Sequence, residues 1–158
     1  MPEVVKANSG IKSIDDLQGR KVSIGAKESG TEINANQILE FSGLNSKLVN
    51  MVNLDYTDAA KQLVEGKIDA FFCTAGLQTT VISELTKECS IRILSIDDKC
   101  IKKLLTAYPC YSKYEIPANT YAGQSENVTT IGVKSVLLAS DSLSENLSSN
   151  LLKPFLNK

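Results

Sequence analysis

The chain has 158 residues, 42% hydrophobic and 22% charged, which is the composition of a globular protein able to bury a real core. Its length suits one domain, or one lobe plus part of another. A net charge of −1 with scattered Lys and Arg argues against a nucleic-acid-binding surface, and no apolar run approaches the ~20 residues of a membrane helix. Histidine is absent. That removes Ser-His-Asp and Cys-His catalysis and most transition-metal sites, so any catalysis would lean on Asp, Glu, Lys or Cys.

The opening residues Met1-Pro2-Glu3-Val4-Val5-Lys6 contain no apolar signal core, so no secretory signal is visible in the sequence as it stands. Ser13-Ile14-Asp15-Asp16-Leu17 reads as a short capped helical turn stopped by Gly19, and Lys21 to Gly25 as a short strand. A polar turn follows, Ala26-Lys27-Glu28-Ser29, and then a helix from about Gly30 to Phe41 with Ala35, Ile38 and Leu39 on one face. Lys47 to Leu54 is strand-like. Thr57 or Asp58 starts a helix with Ala59, Ala60, Leu63 and Val64 on one side and Gly66 at its end.

Ile68-Asp69-Ala70-Phe71-Phe72-Cys73 is a near-continuous apolar run, as in a central strand covered on both faces, and it leads into the small turn Thr74-Ala75-Gly76. Leu77, Val81, Ile82, Leu85 and Cys89 recur at helical spacing, Ile91 to Ile96 is a strand, and Ile101, Leu104, Leu105 and Tyr108 mark another helix before Pro109. Residues 111–121 read as an irregular, aromatic-rich polar passage. Val128 to Ala139 reads as one long strand, and Leu143, Leu147, Leu151 and Phe155 as a terminal helix. Cys73, Cys89, Cys100 and Cys110 form no CxxC, which argues against zinc and thioredoxin chemistry. Cys73 is most simply a buried thiol. Cys100 and Cys110 can pair in an oxidising compartment, and the sequence does not choose among the pairings.

This strand–helix alternation calls for an α/β fold, a mostly parallel sheet with helices on both faces, and ligands in such sheets bind outside the carboxyl ends of the strands. The turns 28–31 and 74–76 both follow strands and share that edge. A helix start offers unpaired N–H donors and partial positive charge to an anion, although a plain N-cap accounts for Ser29 and Thr31 equally well.

The run Ser13 to Gly25, followed by Ser29-Gly30-Thr31-Glu32-Ile33-Asn34-Ala35, resembles the solute receptors of TRAP transporters, specifically the TAXI branch. Gly66 to Gly76, Tyr108-Pro109-Cys110-Tyr111 and Ile116 to Tyr121 fit the same family in the same order. The resemblance implies a periplasmic-binding-protein-like lobe of type II, with 1–127 as the second lobe of a two-lobe protein. Residues 128–158 would be a return strand and a helix packing on a first lobe outside this sequence.

It further implies a periplasmic receptor, without catalysis, cofactor or metal, that closes on a small carboxylate such as glutamate, glutamine or a dicarboxylate and delivers it to TRAP permease subunits. Ser29, Gly30 and Thr31 would hold the carboxylate, Thr74, Ala75 and Gly76 would face it, and Tyr121 would pack over it. Asn34 either reaches the same pocket or is a solvated helix residue. Glu32 favours the helix dipole rather than the ligand. The chain departs from the family pattern at Leu77-Gln78-Thr79-Thr80, where a proline is common, and at Asn119, where glycine is usual.

Two other classes compete. An enzyme would use Asp69 or Lys27 as its acid–base group, but neither GxGxxG nor GxxxxGK[ST] occurs, and Asp69 sits within an apolar strand. An interaction module would self-associate through Val128–Ala139 and the leucine-bearing terminal helix.

Overall fold

The computed structural model describes residues 1–134, 136 and 138–156. Strands β1 (Glu3–Lys6), β2 (Lys21–Ser23), β3 (Asn50–Val52), β4 (Ala70–Phe72) and β5 (Ile91–Leu94) form one sheet in the order β3-β2-β4-β1-β5. Helices α1 (Gly30–Phe41), α2 (Tyr56–Val64), α3 (Thr80–Glu88) and α4 (Asp98–Ala107) connect and follow the later strands. β2 runs parallel to β3 and β4, as the helical crossovers require. β1 is the exception. It lies between β4 and β5 and is antiparallel to both, with Glu3 opposite Phe72 on one side and Leu94 on the other. Its four residues give too short a pattern to reveal a strand, and it is held by neighbours about seventy and ninety positions away.

The sheet separates two apolar layers. Val5, Ala70, Phe72 and Leu94 face α1 and α4 with Ile38, Leu39, Ile101 and Leu104, whereas Val4, Phe71 and Ile93 face α2 and α3 with Leu63, Ile82 and Leu85. Alternation along β1 and β4 sends successive side chains into opposite layers, which explains why β4 reads as an unbroken hydrophobic run.

The aromatic passage is a strand rather than irregular chain. β6 (Tyr111–Ile116) pairs antiparallel with β7 (Val128–Val133), Tyr111 opposite Val133 and Ile116 opposite Val128. The polar Ser112, Lys113 and Glu115 mask the strand because the ribbon buries only part of each face. β7 also stops at Val133, short of the expected Ala139; Ser135 and Leu137 of that run lie outside the described residues, as does the Phe155 side chain. The last helix, α5, covers Glu145–Leu156 and leaves Leu143 in the preceding turn. All four cysteines are free: Cys73 and Cys100 are buried, Cys110 is exposed, and Cys100 and Cys110 are not bridged. Asp69 is structural, its carboxylate accepting from the Lys21 amide at 2.8 Å.

Candidate functional site

At the carboxyl end of β4 a cavity of about 330 Å³ opens between the sheet, the first turns of α1 and the β6–β7 ribbon. Its floor comes from Thr74, Ala75, Gly76 and Leu77, the chain leaving β4. Met1 and Pro2 border it because β1 enters the sheet beside that edge, the Cys73 amide donating to the Pro2 carbonyl at 3.0 Å. Across from them Tyr111, Tyr114, Ile116 and Ile131 of the ribbon form a wall, and Tyr121 from the intervening loop completes it.

Asn34 is the polar centre of this arrangement. It falls on the inward stripe of α1 with Thr31, Ala35 and Ile38, one turn apart, and is 9% exposed. Its Nδ2 donates to Thr74 Oγ1 at 3.3 Å, and the Tyr111 hydroxyl donates to its Oδ1 at 2.7 Å. The solvated alternative for Asn34 is thereby overturned. The Tyr111 hydroxyl also bonds Gln37 Oε1. Burial pushes the Tyr111 phenol up to about 12, so it stays protonated and remains a donor. The Tyr121 phenol is raised for the same reason.

Of the residues expected at the site, Asn34, Thr74, Ala75, Gly76 and Tyr121 come together around one cavity; Ser29, Gly30 and Thr31 do not line it. Ser29 is the N-cap of α1, its Oγ accepting from the Glu32 amide at 3.2 Å. Thr31 is buried and its hydroxyl lies 2.6 Å from the Tyr56 hydroxyl. The Glu32 carboxylate already sits at this helix start, accepting from the Glu28 amide at 2.6 Å and from Asn53 Nδ2 at 2.8 Å, which suits the dipole as expected. The amides of Gly30 and Thr31 keep no acceptor among the described residues.

Tyr56 joins the two turns, and sequence reasoning passed over it. Its hydroxyl donates to the Thr74 carbonyl at 3.1 Å, accepts from the Thr74 amide at 3.2 Å and contacts Thr31 Oγ1. The available signal was slight: Tyr56 follows the cap Asp55, so it opens α2 one residue earlier than the apolar periodicity suggests. Tyr111 was visible only as part of an aromatic passage.

Near the cavity, Asn119 with φ +62° and Gln78 with φ +55° take the left-handed backbone conformation that favours glycine. Among the described residues that line the cavity, none has a charged side chain, and no group of acidic, cysteine or histidine residues that could hold a metal ion occurs among the described residues.

An antiparallel strand set inside an otherwise parallel sheet, helices on both faces and a cavity at the strand ends define a periplasmic-binding-protein-like α/β lobe. The chain belongs to the NMT1-like family, whose model matches residues 1–158.

Similar solved structures include the periplasmic aliphatic sulphonate binding protein SsuA from Escherichia coli. It is 25% identical over 58% of this chain and 28% of its own, with a TM-score of 0.50. The alkanesulfonate-binding SsuA from Xanthomonas axonopodis pv. citri, bound to MOPS, is 23% identical over 61% of this chain and 32% of its own, with a TM-score of 0.51. A structure concerned with glutathione import via GshT and the cystine ABC importer TcyBC of Streptococcus mutans is 16% identical over 99% of this chain and 53% of its own, with a TM-score of 0.53. The chain thus spans from about a quarter to about half the length of these structures. No helix among the described residues is long and apolar enough to cross a membrane.

Proposed function

We propose that this chain is a solute-binding lobe of an extracytoplasmic transport receptor. It captures a small organic carboxylate, of the glutamate, glutamine or dicarboxylate kind, and passes it unchanged to a membrane permease of TRAP type. The observation that carries this is the cavity at the end of β4, lined by Asn34, Thr74, Ala75 and Gly76, with Asn34 donating to Thr74. Neutral amide donors of this kind hold a carboxylate without proton transfer, and neither Ala75 nor Gly76 has an acceptor for its amide among the described residues. The permease type rests on the resemblance of residues 13–25, 29–35 and 66–76 to TAXI receptors. The periplasmic location is in line with the solved neighbours.

The test is a thermal-shift screen of amino acids and dicarboxylates, in which a binder raises Tm as its concentration exceeds Kd. Thr74→Val should remove the shift while leaving the circular dichroism spectrum of the unliganded chain unchanged. A screen in which no carboxylate moves Tm, even at millimolar concentration, defeats the proposal.

A second reading is favoured by exposed apolar side chains after β7, Val136 at 76% and Leu138 at 87% exposure, with Leu147 and Leu151 about half exposed on α5. It takes the chain to self-associate through this segment. Sedimentation showing a monomer across a hundredfold concentration range, about 1 to 100 μM, rules it out.

A further inference from the structure

We infer that the group seated between β4 and the β6–β7 ribbon is the electrically neutral, ring-bearing or branched apolar part of the solute. Solutes that present an ammonium or guanidinium there are rejected. This rests on the solute-receptor reading and names the chemistry its cavity selects.

The cavity of about 330 Å³ holds the equivalent of roughly ten waters at ~30 Å³ each, room for a ring with its substituent. Leu77, Ile116, Ile131 and Val133 supply apolar wall, and the rings of Tyr111 and Tyr114 stand on the ribbon side. Three polar side chains of the wall are engaged with one another or with Met1: Asn34 bridges Thr74 and Tyr111, and Thr74 Oγ1 turns its hydrogen to Met1 Sδ at 2.9 Å. A cation seated here would give up part of its hydration without meeting a carboxylate among the described residues that line the cavity, and such a loss is unfavourable.

Nearby charges are directed elsewhere. On β6, Lys113 pairs with Asp98 at 2.7 Å and Glu115 accepts from Asn127 at 2.7 Å. Glu3, two residues from Met1, lies between Phe72 and Leu94 in the α1–α4 layer and is not part of the cavity wall. The Met1 ammonium donates to the Ile131 carbonyl at 2.6 Å.

The ¹⁵N-labelled chain, titrated with benzyl alcohol and separately with benzylammonium, tests this with one ring and two charges. Benzyl alcohol should shift the amide signals of Thr74 to Leu77 and of Ile131 to Val133 saturably, and at least about tenfold more tightly than benzylammonium. In Tyr114→Asp, whose parent side chain is 42% exposed, an acid joins the wall and the preference should narrow or reverse. Equal or tighter binding of benzylammonium to the unaltered chain overturns the inference. So does benzyl alcohol leaving those amides unmoved. If benzyl alcohol enters as described while no carboxylate shifts Tm, the receptor reading fails and the neutral cavity stands. Carboxylates that bind only with cationic side chains leave the receptor reading intact and overturn the inference.

Discussion

Glu3 shows how one residue can make the stability of the molecule depend on pH. It is 1% exposed in the middle of the sheet, and neither carboxyl oxygen has a hydrogen-bond partner among the described residues. Burial pushes its pKa from the ordinary 4.5 up to about 8, the nearby N-terminal ammonium pulling the other way. The folded chain therefore keeps a proton that the unfolded chain releases. Stability is greatest below about pH 4.5 as far as this group is concerned, and falls as pH rises toward 8 by up to about 1.4 kcal/mol per unit. The urea midpoint should be lower at pH 8 than at pH 5.5, and Glu3→Gln should flatten the difference; a midpoint that climbs over this range would contradict the assignment. Tyr56 acts on the site instead. Tyr56→Phe removes one hydroxyl that serves Thr31 and both backbone groups of Thr74, so it should cost about 1–2 kcal/mol in urea unfolding and weaken whatever solute the cavity holds.

Among the elements, the β2-to-α1 connection is the most constrained. Gly25 has φ +98°, and a Cβ there would lie 2.7 Å from Thr31 Cβ and 3.1 Å from Ser29 Oγ. Gly25→Ala meets both an unfavourable backbone conformation and a collision with the start of α1, so a loss of more than about 1 kcal/mol is expected in thermal or urea unfolding. Ser29→Ala removes the cap alone and should cost about 1 kcal/mol. The contrast between the two separates the role of the turn from that of the hydroxyl. α1 itself was legible in the sequence, because a serine cap, an acidic first turn and an apolar stripe all agree. β6 was not. Its polar positions lean on β7, across the whole intervening loop, rather than on local pattern.

At the scale of the whole molecule, the described residues that line the cavity bring it no charged side chain. A charge-assisted hydrogen bond contributes about 1.5–3 kcal/mol net, whereas micromolar affinity needs roughly 8 kcal/mol after association entropy is overcome. On the proposed receptor reading, the chain should bind a carboxylate more weakly than micromolar, measurable by calorimetry; a micromolar Kd would contradict this expectation. The chain spans about a quarter to about half the length of the structures it resembles.

Local signals in the sequence were sufficient for the α/β class, the four main helices and the convergence of two post-strand turns on one sheet edge. Apolar periodicity and caps act over a few residues and are written in the order of the chain. Long-range contacts alone set the antiparallel insertion of β1, the pairing of β6 with β7, the burial of Asn34 against Tyr111, and the exclusion of Ser29 and Thr31 from the cavity wall. Each of those depends on partners brought together from distant parts of the chain, and sequence spacing carries no record of which distant group a hydroxyl or carboxyl will meet.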